Sequence, residues 1–223
     1  MNEQQRSKLQ SKSYDSDYYF EHRAADLDYL NFGQWQIEYG LWLIESLGLE
    51  NKHVLDVGCA CGSIAWGLRA KAHVWGVDLN NYMIELGRRK FKGLPLYVCD
   101  SINLHLFADN MFDLVHTAQV AEHFRPEHVP LILREWNRVL KPGGLVFCCL
   151  DTAEQFAREG RQVGRNEDPT HICVKPQSYW RERFREVGWQ DVRSACEPAM
   201  LAHQHSFLKR YNWDWFLYQK PAG

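Results

Sequence analysis

Short runs of apolar residues alternate with stretches of helical period along the first two thirds of the chain. His53–Val57, His73–Val77, Pro95–Cys99, Phe112–Thr117 and Gly144–Leu150 are nearly continuous in apolar character. Strands covered on both faces by helices have that pattern. Between them, Gly62–Lys71, Asn81–Lys92 and Pro126–Leu140 read as helices. In the last, Val129, Ile132, Trp136, Val139 and Leu140 fall on one face, and Pro126 suits a first turn. Lys141-Pro142-Gly143-Gly144 then ends the helix and starts the next strand. Alternating strand and helix, joined by right-handed crossovers, predicts an α/β fold with a doubly wound sheet.

The last third changes character. Pro176–Val187 reads as a helix with Trp180, Phe184 and Val187 on one face and Gly188 as its stop. Trp189–Glu197 and about Phe207–Gln219 follow as aromatic, β-like runs. Their connection looks too short for a helical crossover, so they should pair antiparallel. The expected architecture is a seven-stranded mixed sheet whose last hairpin is antiparallel.

Composition narrows the function. At 223 residues one domain is favoured, and 45% apolar with 24% charged residues suits a soluble globular protein. A net charge of −2 gives no basic footprint for nucleic acid. No run reaches about 18 apolar residues, and Met1 to Asp17 is too polar for a secretory signal, so no membrane partner is expected. The seven cysteines are odd in number, and Cys99, Cys148 and Cys149 sit in apolar strands. They read as reduced thiols of a cytoplasmic protein. Cys59 and Cys61 lack the second pair a zinc site would need.

Chemistry enters at His53-Val54-Leu55-Asp56-Val57-Gly58-Cys59-Ala60-Cys61-Gly62, a strand that ends in an acid and a glycine-rich turn before a helix. Such a turn lets backbone approach a ligand, and the helix start offers N–H groups. Asp78 ends the next apolar run twenty residues after Gly58, the distance at which a carboxylate meets ribose hydroxyls. A nucleoside-containing ligand is implied. A dinucleotide fits poorly, because the second and third glycines of G-x-G-x-x-G are Ala60 and Ser63, and Asp56 would face a diphosphate.

Five ordered motifs carry a resemblance. Val54 to Gly62 resembles the first motif of class I S-adenosylmethionine-dependent methyltransferases of the small-molecule type. Val74-Trp75-Gly76-Val77-Asp78-Leu79 is similar to their ribose segment, and Val98-Cys99-Asp100-Ser101 to their adenine segment. Phe112-Asp113-Leu114-Val115-His116 and Leu140-Lys141-Pro142-Gly143-Gly144 resemble the later strand motifs. The resemblance spans about Lys52 to Val192 and implies a Rossmann-like sheet with the final strand inserted antiparallel beside the fifth. It implies S-adenosylmethionine as cofactor and S-adenosylhomocysteine as product. Gly58 and Gly62 would let the backbone approach the methionine part, and Asp56 would hold its amino group. Asp78 would take the ribose hydroxyls, Leu79 would cover the adenine, Asp100 would accept from the adenine amino group, and Ser101 would read a ring nitrogen through its N–H. Ala60 stands where the family often has glycine; it is expected to fit with φ below zero.

The acceptor side should be framed by three segments. Ala121-Glu122-His123-Phe124 resembles a glutamate–histidine pair found in many small-molecule methyltransferases, including quinone-type O-methyltransferases. Gln119 replaces the further acid that some of them use for a metal, so no metal is expected. Asn166-Glu167-Asp168-Pro169-Thr170-His171-Ile172 offers His171, with Asp168 and Thr170 shaping the turn. His123 and His171 are the candidate catalytic residues, each as base or orienting group. His116 is expected to line the cofactor pocket, with a core histidine as the competing reading. Arg158, Arg161 and Arg165 could meet an acidic substrate group or form a solvated face. In the N-terminal stretch, Tyr14 and Tyr19 lie in an aromatic run that resembles a lid over the cofactor.

The expectation is a single methyltransferase domain, 1–223, with a helical lid (1–50), a cofactor-binding core (51–150) and substrate-side helices with a hairpin (151–223). The expected reaction is O-methylation of a sugar, glycan precursor or secondary metabolite. N-methylation of a small amine, or a non-catalytic cofactor-binding subunit, are the alternatives. The partner is a small-molecule acceptor, and the chain is expected to be a monomer or homodimer.

Overall fold

The computed structural model describes residues 34–163, 170–210 and 214–223. Tyr14, Tyr19, Arg165 and Asp168 lie outside the described residues.

Strands form on the apolar runs as β1 (His53–Val57), β2 (His73–Asp78), β3 (Leu96–Val98), β4 (Phe112–Ala118), β5 (Leu140–Cys149) and β7 (Trp215–Gln219), and a short polar β6 (Gln190–Asp191) adds an edge. They make one seven-stranded sheet in the order β3-β2-β1-β4-β5-β7-β6. β1 to β5 run parallel, and β7 enters antiparallel between β5 and β6. Register brings Asp56 beside His116 and sets the carboxyl ends of the parallel strands along one edge. The site is built on that edge, as expected for a doubly wound sheet.

Helices cover both faces. On one lie α1 (Gln34–Ser46), α2 (Ser63–Leu68) and α3 (Asn81–Lys90); on the other lies α4 (Val129–Val139). α1 is a core element, with Tyr39, Trp42, Leu43 and Ile44 buried. It crosses α2 so closely that a Cβ on Gly67 would stand 1.9 Å from the Gln36 carbonyl oxygen. Glycine is required there to let two backbones touch. The helix predicted over 62–71 stops at Leu68, and a Cβ-free crossing fits its short length.

The C-terminal third departs from expectation. α5 (Ala153–Arg158) follows β5, and α6 (Gln177–Glu186) buries Trp180 and Phe184 as predicted. The run expected as a strand over 189–197 pairs only at Gln190–Asp191, and α7 (Arg193–Ala202) takes its remainder. Val192, Cys196 and Met200 explain why. They recur every four residues and pack on one face against the core, a helical period that the β-like composition conceals. The second run begins as α8 (Phe207–Arg210), and only Trp215–Gln219 pairs in the sheet. The two strands are thus antiparallel partners joined through helices, not by a short hairpin. Phe207 packs edge-on against Tyr39 and Met200 accepts from the Trp42 indole at 3.0 Å, so both segments cover α1.

Candidate active site

The glycine-rich turn leaves β1 with Gly58 at φ +73° and enters α2 through Gly62 at φ +81°. Gly58 and Cys59 both donate backbone N–H to Val77 at 2.8 and 3.0 Å, tying the turn to β2. Ala60 corrects the expectation of negative φ: it sits at +49°. A left-handed alanine costs about 1–2 kcal/mol. It is held there because its N–H donates to Asp78 Oδ2 at 2.8 Å.

Asp56 is buried at the end of β1. Its Oδ1 lies 2.6 Å from His116 Nδ1, and His116 Nε2 lies 2.7 Å from the Tyr39 hydroxyl. Burial holds the Tyr39 phenol well above its usual pKa, so the phenol keeps its proton and is able to donate it to Nε2. The tautomer that accepts such a bond carries its proton on Nδ1, facing Asp56 Oδ1. His116 is wholly buried, with both nitrogens engaged. That is the core histidine of the competing reading, and it positions Asp56. Asp56 Oδ2 is buried with no hydrogen-bond partner among the described residues. An orphaned carboxylate oxygen beside a left-handed glycine turn suits the ammonium of the implied methionine group.

The Asp78 carboxylate accepts from Ala60 N–H and Asn80 N–H, both at 2.8 Å. Burial lifts its pKa to about 6, against the opposing effect of those N–H groups. Each oxygen keeps a second lone pair, enough for two ribose hydroxyls. Leu79 is half-buried beside it. Asp100 accepts from Ile102 N–H at 3.0 Å, and it and Ser101 are half-buried after β3. Asp56, Gly58, Ala60, Gly62, Asp78, Leu79, Asp100 and Ser101 thus share the carboxyl edge of β1, β2 and β3.

A second cluster forms beyond β4. Gln119 turns the chain at φ +57°, and the side chain of Val120 lies 2.3 Å from where a Cβ on Gly58 would sit. The cluster is therefore next to the glycine turn. A single 3-10 turn, Ala121–His123, then presents Glu122 and His123. The Glu122 carbonyl accepts Cys173 N–H at 2.7 Å, which docks the Thr170–Cys173 segment here. The His123 and His171 rings meet edge to face at 4.5 Å between centroids, although 48 residues separate them. Thr170 Oγ lies 2.8 Å from His123 Nδ1, and Asp151 Oδ2 lies 3.5 Å from His171 Nδ1. Burial pushes the Asp151 carboxyl up, opposed by Arg161 and His171.

Arg158 and Arg161 have partners within the chain. Arg158 pairs with Asp214 at 2.7 Å, and Arg161 with Glu159 at 2.9 Å and Asp151 at 3.2 Å. Sequence reasoning missed Tyr39 and Asp151. Nothing local marks Tyr39, which is 77 residues from His116. Asp151 did carry a signal: like Asp56 and Asp78, it is an acid at a strand's carboxyl end.

Comparison with known proteins follows the same lines. Residues 55–148 match a family described as a methyltransferase domain. The demethylmenaquinone methyltransferase of Symbiobacterium thermophilum is 32% identical over 154 residues, 62% of this chain and 59% of its own length. That of Listeria welshimeri is 33% identical over 173 residues, 71% of each chain. Among solved structures, phosphoethanolamine N-methyltransferase 2 of Haemonchus contortus, in complex with S-adenosyl-L-methionine, superposes with a TM-score of 0.55. It has 18% identity, over 79% of this chain and 52% of that one. The [4+2]-cyclase SpnF gives 0.58 at 21% identity, over 84% and 82%. At such identities the likeness is one of fold alone, and the two proteins differ in activity, one a methyltransferase and the other a cyclase.

Proposed function

The chain belongs to the class I S-adenosylmethionine-dependent methyltransferase family, and on that premise we propose that it methylates a hydroxyl oxygen of a small polar acceptor. It is an enzyme that uses S-adenosylmethionine and acts on a small molecule. A sugar, glycan precursor or hydroxylated secondary metabolite is the acceptor class proposed. The observation that carries this reading is the polar wall beside the glycine turn: Glu122, His123, Thr170, His171 and Asp151, with two imidazoles in contact.

Asp56 and Asp78 would hold the ammonium and ribose of the cofactor, with Asp100 and the Ser101 N–H toward the adenine. The bound cofactor supplies an electrophilic methyl group on a sulfonium. The chain's own part is then positioning, exclusion of water and handling of one proton. A hydroxyl that gains a carbon must lose its proton, and a neutral alcohol holds it tightly. In this reading His123 and His171 orient that oxygen; the His123 ring is itself held through Nδ1 by Thr170 Oγ at 2.8 Å, and Asp151 lies 3.5 Å from His171 Nδ1. A second reading has one supporting observation. The relatives at 32% and 33% identity are named for demethylmenaquinone, so a quinone-type acceptor is the alternative.

Transfer of a tritiated methyl group to matched panels of polyols and glycosides, quinols and amines tests the proposal. Turnover should be confined to the hydroxylated panel. It should fall in His123→Ala and His171→Ala with affinity for S-adenosylhomocysteine kept. Transfer to quinols or amines, indifferent to both substitutions, would sink it.

A further inference from the structure

Glu122, His123 and His171 each bring one donor atom to a common point, all within 4.8 Å of one another. They are drawn from two segments, joined by the hydrogen bond between Cys173 N–H and the Glu122 carbonyl. Two imidazoles and one carboxylate suit a first-row transition ion and would be a poor set for calcium or magnesium.

We propose that Glu122, His123 and His171 form a binding site for a divalent transition ion, of the zinc, cobalt, manganese or iron(II) type, on the acceptor side of the glycine turn. Sequence reading had set a metal aside because Gln119 stands where an acid would be needed. His171 supplies the third ligand instead, from a segment that no spacing rule connects to Glu122. Ion–ligand bonds of about 2.1 Å place tetrahedral donors about 3.4 Å apart. The observed spread needs small rotations about side-chain bonds to close to that distance.

The surroundings supply an independent observation. Ligating imidazoles are normally held by an oxygen on the other ring nitrogen. Thr170 Oγ at 2.8 Å from His123 Nδ1 is such a partner, and Asp151 Oδ2, 3.5 Å from His171 Nδ1, is a carboxylate that a small rotation would bring onto that ring. With Nδ1 of His123 engaged in this way, Nε2 is the nitrogen that ring would turn to the ion. The Glu122 side chain is wholly buried, where a nearby cation would offset the desolvation of its charge. Three protein ligands leave open positions on the ion. An acceptor with two adjacent oxygens would chelate it, and coordination would acidify the hydroxyl to be methylated, whose proton would then leave to water because both imidazoles are held by the ion. That last role rests on the acceptor reading above; binding of the ion does not.

Titration of tag-free, chelator-treated protein with Co2+ tests the site, without acceptor or methyl donor. The expected result is saturable binding of one ion, with visible absorption typical of nitrogen and oxygen ligation and no thiolate charge-transfer band. Zn2+ should displace it. His171→Ala and Glu122→Gln should abolish the spectrum, and Asp151→Asn should weaken binding about 10- to 100-fold, with unchanged far-UV circular dichroism. Wild-type protein that binds neither ion saturably overturns the proposal, and so does binding that survives His171→Ala. Because the wild-type titration is decisive alone, a variant that fails to fold leaves the test intact. Protein that binds Co2+ but methylates no hydroxyl overturns the acceptor reading and upholds the site.

Discussion

Tyr39→Phe is the sharpest probe of how the fold holds Asp56. The phenol oxygen is the only atom removed, and the ring stays packed against Trp42 and Phe207 at centroid distances of 5.4 and 5.0 Å. What is lost is the donor to His116 Nε2, 2.7 Å away in a site where His116 has no exposure. Leaving a buried acceptor unsatisfied costs about 1–3 kcal/mol. For a chain of this size each kcal/mol shifts Tm by roughly 2–4 °C. Tm should therefore fall by about 2–12 °C. There is a second consequence. Without the phenol, the imidazole proton is no longer confined to Nδ1, and a ring protonated only on Nε2 turns a lone pair toward Asp56. Losing about 1 kcal/mol of that positioning weakens a ligand roughly fivefold. Differential scanning calorimetry and titration of S-adenosylhomocysteine read the two effects, and nitrogen NMR of the His116 ring reads the tautomer. An unchanged Tm with unchanged affinity would refute the relay from Tyr39 to Asp56.

Other positions test other links. Ala60→Gly relieves a left-handed alanine worth about 1–2 kcal/mol against roughly 0.4–1 kcal/mol of added unfolded-state entropy, so the variant should be modestly more stable in urea; clear destabilisation would show the strain is absent. Gly67→Ala drives a Cβ into the Gln36 carbonyl at 1.9 Å and should cost about 3 kcal/mol or more; a loss under about 1 kcal/mol would mean α1 and α2 part easily. Asp78 has a pKa raised to about 6 in the folded chain from an ordinary 3.8. The folded state therefore holds the proton more tightly, and the stability this group contributes is present below about pH 4 and lost as pH rises through about 6. Relative to Asp78→Asn, ligand-free stability should decline over that window, while cofactor affinity, which needs the ionised carboxylate, should climb. Affinity that is flat from pH 5 to 7 would reject the role of Asp78.

The parallel half of the sheet could be read from the chain because its strands are nearly continuous apolar runs covered by helices on both faces. Both faces being buried, composition and element type coincide, and β1 begins and ends where the run does, at His53 and Val57. The acids at strand ends were legible for a related reason. A parallel sheet sets all its carboxyl ends on one edge, so Asp56, Asp78 and Asp100 are brought together by topology alone. The C-terminal third was not legible in the same way. Trp189, Val192, Trp215 and Phe216 raise the β-like character of the region, whereas the four-residue recurrence of Val192, Cys196 and Met200 decides its helix by burying them against the core.

What the sequence determined by itself was therefore local or periodic: the element order, the glycine turn, the acids and the family to which they belong. Tertiary structure alone decided which groups share a bond. Register across β1 and β4 sets Asp56 beside His116, and the packing of α1 adds Tyr39 to complete the relay. One backbone hydrogen bond from Cys173 to Glu122 brings two histidines 48 residues apart into contact. Such pairings depend on long loops closing over specific surfaces. Their reward comes only after the sheet has formed, so no window of sequence contains the information that selects them.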